Sequence, residues 1–402
     1  MHAQAATTAS PGQVLAAFLK LGLLSFGGPV AHLGYFRNEF VQRRKWLDDA
    51  AYGDLVALSQ FLPGPASSQV GIGIGLRRAG ISGALAAWLG FTLPSAVLMC
   101  AFGYGVRWFG IDTQAGWLHG LKIAAVAVVA QAVWGMGRSA CVDPLRMALM
   151  LAAAGAMLLS RATVAQLAVI VIAAAIGAGL LRRQATPRAQ PSVSKPLSLA
   201  ASHAALSCYF ALLVLLPLAA RITDVHAVAL MDSFYRSGAL VFGGGHVVLP
   251  LLRAEVVPPG WIGEGAFLAG YGAAQAVPGP LFTFAAYLGT AMQPPPNGVA
   301  GALLCLVFIF LPGFLLVLGA LPYWDRVSGS PGARAAMLGV NAAVVGILLA
   351  ALIDPIGTSA IVAPTDAVVA LAALLLLTLA HAPPILVVAL CALAAQLLTM
   401  IR

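Results

Sequence analysis

The chain repeats itself, and the repeat carries its own interruptions. Residues 26–28 read Phe-Gly-Gly, and after a charged stretch and a Trp come Gln60 and Pro63-Gly64-Pro65. Residues 242–244 again read Phe-Gly-Gly, followed by a Trp, Gln275 and Pro278-Gly279-Pro280. Leu33, Glu39 and Trp46 of the first copy fall opposite Leu249, Glu255 and Trp261 of the second. Further on, Gly80, Gly83, Leu93, Pro94 and Gly120 match Gly298, Gly301, Leu311, Pro312 and Gly339. The offset is 216 at Phe26/Phe242, 215 at Pro63/Pro278 and 219 at Gly120/Gly339, a drift that small loop insertions explain. Both copies set Gly/Pro breaks inside segments that would otherwise be membrane helices. Duplicated, broken membrane helices are the mark of a secondary transporter whose site lies at the repeat interface.

Composition agrees with a membrane class. Hydrophobic residues make up 61% of the 402 and charged residues only 9%, too little polar surface for a soluble globule of this size. The expected fold is an all-α polytopic membrane protein of two inverted-topology repeats with Gly/Pro-broken helices. About 13 apolar segments are visible: 11–36, 51–76, 82–105, 115–137, 144–160, 163–181, 199–219, 234–252, 264–292, 298–322, 335–353, 365–380 and 385–401. Residues 182–197, rich in Pro, Ser and Arg, form the one convincing linker. It separates a first repeat, 11–181, from a second with extra helices, 198–402. The N-terminal residues lack the basic and apolar regions of a cleavable signal peptide. The five cysteines stand singly in apolar stretches and read as packing residues, with no metal or disulfide pattern. The formal charge of +9 is spread over short loops, which speaks for membrane orientation and against nucleic acid.

Lys and Arg then assign sides. The linker, with Arg182, Arg183, Arg188 and Lys195, should be cytoplasmic, as should the loops holding Arg138 with Arg146, Arg77 with Arg78, and Arg326 with Arg334. Residues 220–233 and the Lys/Arg-free 354–364 fall outside. The rule strains at 37–49, where Arg37, Arg43, Arg44 and Lys45 lie one apolar segment before Arg77-Arg78. If 51–76 spans the bilayer, the two basic clusters are on opposite sides. If it is a re-entrant hairpin with Pro63-Gly64-Pro65 at its tip, they share one side, and 11–36 dips in and out at Phe26-Gly27-Gly28-Pro29 in the same way. Both arrangements put the N-terminus in the cytoplasm and the C-terminus outside.

A Pro-Gly-Pro interrupts a helix, because Pro removes a backbone donor and Gly lowers helix stability. The residues after it, Ala66-Ser67-Ser68-Gln69, then begin a half-helix whose free N–H groups carry positive partial charge, a ready anion site. Gly27-Gly28-Pro29 aims a second half-helix, starting near Val30, at the same region. In the second copy Gly243, Gly244 and His246, and Pro278-Gly279-Pro280 through Thr283, do the equivalent. Gln60 and Gln275 precede each Pro-Gly-Pro by three residues. The run Gly71-Ile72-Gly73-Ile74-Gly75 reads more simply as close helix contact. No Gly-Lys-Ser/Thr nucleotide loop is present.

Ionisable groups within apolar segments are functional candidates by default. Lys20, His32, Glu39, Asp54 and Lys122 qualify for charge or proton coupling. Lys20 suits neutralising a bound anion, with snorkelling or pairing to Asp54 as the competing role. Asp54 and Glu39 suit proton carriage, with pairing to nearby Arg residues as the alternative. His246, after three glycines, has the unperturbed pKa suited to proton exchange.

Ser25-Phe26-Gly27-Gly28-Pro29, Gln60-Phe61-Leu62-Pro63-Gly64-Pro65 with Ser67-Ser68-Gln69, Arg77-Arg78-Ala79-Gly80 and Phe91-Thr92-Leu93-Pro94-Ser95 together resemble the chromate ion transporter family. Phe242-Gly243-Gly244-Gly245, Gln275 through Phe284, and Gly339 through Gly346 carry the resemblance through the second half. It implies the long-chain, two-domain form in a bacterial inner membrane. It also implies chromate export driven by membrane potential or proton gradient, chromate resistance, and no cofactor. Partners are then a small oxyanion and the bilayer, with a homodimer left open. A sulfate or other oxyanion importer on the same scaffold is the alternative, since chromate and sulfate share shape and charge. An enzyme would need a redox-cofactor motif or a nucleophile–base set, and neither is seen.

Overall fold

The computed structural model describes residues 9–25, 28–108, 116–160, 163–184, 198–242, 247–324 and 330–401. Gly27, Gly243, Gly244 and His246, and most of the linker, lie outside them. The described residues are helical, with no strand among them. Five helices are long and apolar enough to cross a membrane, and shorter apolar helices accompany them. The protein is an all-α polytopic membrane protein.

The first repeat opens on two hairpins. Helix α1 (Pro11–Leu24) is capped by Ser10, whose hydroxyl accepts from the Gln13 N–H. α2 (Gly28–Phe36) follows and widens into a π-type turn, Arg37–Arg43. Phe18 of α1 meets Phe36 at 5.5 Å and Phe40 at 4.8 Å, so the chain has doubled back. α3 (Asp49–Phe61) is capped by Asp48 and stops at Leu62, whose extended backbone (ψ 145°) is what a following proline imposes. α4 (Ala66–Trp108) then starts and breaks at Ala79 (φ −143°) and Gly80 (φ 64°) into a short arm, 66–78, and a long arm.

The short arm returns to where α3 began. Arg77 Nη1 donates to the Ala51 carbonyl and Arg78 Nη1 to the Trp46 carbonyl, each at 3.4 Å. At ~1.5 Å per residue, the 13 residues of α3 reach about 20 Å, short of a ~30 Å hydrocarbon core. Residues 49–78 therefore form a re-entrant hairpin, and the basic loop before α3 shares a face with Arg77-Arg78. Trp46 ties them further, with the Arg44 and Arg78 guanidinium groups 5.1 and 5.4 Å from its ring.

α5 (Gly116–Ala140), α6 (Pro144–Leu159) and α7 (Thr163–Leu180) complete the first copy. α8 (Leu199–Ile222) has no counterpart; its exposed Phe210, Val214, Leu215 and Leu218 suit lipid. The second copy retraces the order with α9 (His226–Ala239), α10 (Val248–Val256), α11 (Glu264–Ala276) and α12 (Phe284–Ala291). It ends with α13 (Gly298–Ala320), α14 (Pro331–Ala351), α15 (Pro364–Thr378) and α16 (Pro384–Ile401). Its hairpin closes like the first: α11 stops at the extended Val277 before Pro278, and the Gln293 N–H reaches the Trp261 carbonyl at 3.1 Å.

The copies are exchanged at their far ends. α5 of the first packs on α15 and α16 of the second, while α14 of the second packs on α6 and α7 of the first. Gly120 lets α5 approach the Cys391 carbonyl of α16, and its match Gly339 lets α14 approach the Ala173 carbonyl of α7. Gly71 and Gly73 do serve helix contact, lying against Phe18 and Leu55.

Candidate functional site

The hairpin tips interlock across the repeats. The Gly64 N–H donates to the Val241 carbonyl at 2.7 Å, and the Gly279 N–H donates to the Ser25 carbonyl at 2.9 Å. Gly64 and Gly279 are counterparts, and so are Ser25 and Val241. One backbone bond is thus made twice, related by a pseudo-two-fold axis. Each Pro-Gly-Pro of one repeat holds the residue before the Phe-Gly-Gly of the other, so broken backbone at membrane depth is paired within protein.

Glycine is required at both tips. Gly64 has φ 126° and Gly279 φ 94°. A Cβ at Gly64 would lie 2.8 Å from Gln69 Nε2, and one at Gly279 2.8 Å from Ser95 Oγ. Gln69 Nε2 also donates to the Pro63 carbonyl at 2.8 Å, so this side chain clamps the tip. In the second copy Thr283 Oγ1 donates to the Pro280 carbonyl at 2.8 Å.

The short arm of α4 begins at Ala66, directly after the break, and presents Ser67, Ser68 and Gln69 in its first turn. All three are buried. Ser67 Oγ lies 3.3 Å from His32 Nδ1, joining the two hairpins of the first repeat. The His32 ring stands edge-on to Phe91 at 5.2 Å, and the Phe91 carbonyl is also a neighbour of Gly279. Ser25 Oγ, His32 Nε2, Ser68 Oγ, Gln69 Oε1 and Thr92 Oγ1 are buried with no hydrogen-bond partner among the described residues. Unpaired buried polar atoms cost free energy, so their concentration here makes this crossing the candidate site.

Other expected site residues spread further. Gly28 (φ 77°) and Pro29 open α2. Pro63, Pro65, Pro278 and Pro280 frame the tips, whereas Gln60 is exposed and its counterpart Gln275 half-buried with Nε2 unpartnered. Lys20 sits 3.9 Å from Glu39, which Arg43 and Arg44 also hold at 2.8 and 2.7 Å. The second copy repeats this pairing with Arg236, counterpart of Lys20, 2.8 Å from Glu255 and 2.7 Å from Asp232. Burial opposes ionisation of Glu39, but the hydrogen bond and charge of Arg44, with Lys20 and Arg43, hold its carboxyl below the usual range. Asp54 is buried within electrostatic reach of Arg77. Lys122 lies against Gly265 at the start of α11, away from the tips.

Ser25, Thr92 and Ser95 were not among the expected site residues. The signal was present: hydroxyl side chains flank the first copy's Phe-Gly-Gly and Leu-Pro elements. The His119–Asp366 contact at 3.2 Å, joining α5 to α15, has no motif to announce it. Among the described residues no group of His, Cys, Asp and Glu is arranged to hold a metal ion.

A family model described as chromate transporter matches residues 12–179 and 228–396. The chain is 30% identical over 348 residues to a chromate transport protein of Pseudomonas aeruginosa, covering 85% of this chain and 80% of that one. It is 28% identical over 348 residues to a chromate transport protein of Cupriavidus metallidurans, covering 85% and 81%. It is 26% identical over 342 residues to a probable chromate transport protein of Synechococcus elongatus, covering 84% and 82%. No solved structure matches the chain.

Proposed function

The chain belongs to the chromate transporter family, and from that premise we propose that it exports chromate from the cytoplasm of a bacterium and so confers chromate resistance. It would lie in the inner membrane with its N-terminus cytoplasmic and its C-terminus outside. The anion is held near mid-membrane at the crossed tips, by Gly64–Gln69 and Gly28–Pro29 with Gly27. From the second copy, Gly243, Gly244, His246 and Gly279–Thr283 close the other side. Pro63, Pro65, Pro278 and Pro280 keep the breaks open, with Gln60 and Gln275 at their approaches.

The observation that carries this reading is the reciprocal pair of bonds from Gly64 and Gly279 to Val241 and Ser25. It brings half-helix ends of both repeats to one place, as alternating-access carriers require. A dianion leaving water needs preoriented donors, yet full neutralisation by buried Arg or Lys would bind it too tightly for release. Backbone dipoles and hydroxyls supply partial charge without that trap. Lys20 and Glu39, already paired to each other, then act as structural charges at the membrane edge.

The energetics need no nucleotide. Moving two negative charges out of a negative-inside cell gains roughly 4.6 kcal/mol per 100 mV, and a proton gradient is a supplement. Collapsing potential and pH gradient with ionophores while ATP remains should stop chromate efflux from cells. Efflux that continues unchanged contradicts the proposal.

A further inference from the structure

The repeat is symmetric in backbone and not in chemistry. In the first copy the residues around the crossing include Ser25, His32, Ser67, Gln69 and Thr92, all nine-tenths or more buried. Their counterparts in the second copy are Val241, Val248, Phe282, Phe284 and Phe310. Every one of these is apolar and packed in the hydrophobic core. Phe282 and Phe310 face each other at 5.7 Å. Ser68 alone keeps a hydroxyl counterpart, Thr283, and that hydroxyl is committed to the Pro280 carbonyl. Evolutionary doubling of a fold would give two equivalent anion sites; among the described residues the first copy presents unpartnered polar atoms where the second presents aromatic and aliphatic side chains.

We propose that the oxyanion is bound by the first repeat alone, with the imidazole of His32 as a direct hydrogen-bond donor and Ser67 as its positioning residue. This rests on the transport reading above and names the donor within that site. Ser67 Oγ lies 3.3 Å from Nδ1, and the ring roles follow the tautomer. When the Ser67 hydroxyl donates to Nδ1, the proton of the ring sits on Nε2. That atom is buried and makes no hydrogen bond among the described residues, on a ring that Ser67 joins to the opening turn of the α4 short arm and that also has the Ser25 carbonyl near it. Nε2–H and the first-turn N–H groups then act on the same anion, and a bound anion selects that tautomer. The second repeat contributes closure through Gly279, whose N–H is already spent on Ser25.

The test is the apparent KM for radiolabelled chromate and sulfate in proteoliposomes, with protein level and thermal stability checked for each variant. His32→Val installs the second copy's residue and should raise KM about tenfold or more, the weight of a hydrogen bond to a charged group. His32→Gln, which keeps an N–H donor, should stay within about threefold of the native chain. Ser67→Ala should raise KM about threefold and Ser67→Thr should restore it. Val248→Ala and Phe310→Leu, in the second copy, should leave KM unchanged. An unmoved KM in His32→Val, or an equal rise from the second-copy changes, overturns the proposal. If His32→Val does not fold, Ser67→Ala decides: native KM there overturns it. A native protein that carries neither anion defeats the transport reading itself, whereas native flux with unmoved KM values defeats only this assignment.

Discussion

Glu39 shows how an ionised group is kept at the edge of an apolar body. It is buried, yet three cations surround it, and in the second copy Arg236 pairs with its counterpart Glu255. Because its carboxyl is held below the usual range, the folded state favours the charged form more than the unfolded chain does. The stabilisation is therefore complete above the ordinary carboxylate pKa of about 4.3 and is lost as pH falls through the lower folded value. The native protein in detergent should melt at a steady temperature from neutral pH down to about pH 5 and less stably below about pH 4. Glu39→Gln should cost about 1–3 kcal/mol at neutral pH and flatten that acid limb. Equal acid sensitivity in the variant would show that another carboxylate is responsible. Lys20 and Glu39 stood out in the sequence as charges in apolar surroundings. Their mutual pairing did not, because nothing in the spacing of 20 and 39 announces a hairpin.

At the scale of elements, the Gly/Pro breaks were legible and their geometry was not. Pro63-Gly64-Pro65 and Pro278-Gly279-Pro280 do end helices, and a half-helix does begin at Ala66. Whether 51–76 spans or turns back was open, since an apolar stretch has the same composition either way. The structure answers it through Arg77 and Arg78, which reach the start of the same hairpin. An inverted pair of repeats, which the distribution of basic residues proposes, would place the linker and the α12–α13 connection on opposite sides. Ser192→Cys should be labelled by an impermeant thiol reagent only from the cytoplasm, and Asn297→Cys, beside Arg107, only from outside. Labelling of both from one side would refute the inverted arrangement.

For the whole molecule, the crossing that matters is made of contacts 177 and 254 residues apart. Gly64 to Val241 and Gly279 to Ser25 could not be read from either copy alone. The exchange of α5 and α14 between repeats was likewise hidden, although the matched Gly120 and Gly339 were its visible trace. Both arise from the same cause: two half-sized bodies with broken helices cannot pair their own backbone, so each borrows the other's. The central claim is that this joint holds and passes an oxyanion under electrical force. It is tested most directly by loading proteoliposomes with labelled chromate and imposing a potassium diffusion potential. Chromate should leave saturably, faster when the lumen is negative and slower when the sign is reversed, and Gly64→Leu should abolish the flux. Chromate loss no greater than from protein-free liposomes, or a rate indifferent to the sign of the potential, would contradict it.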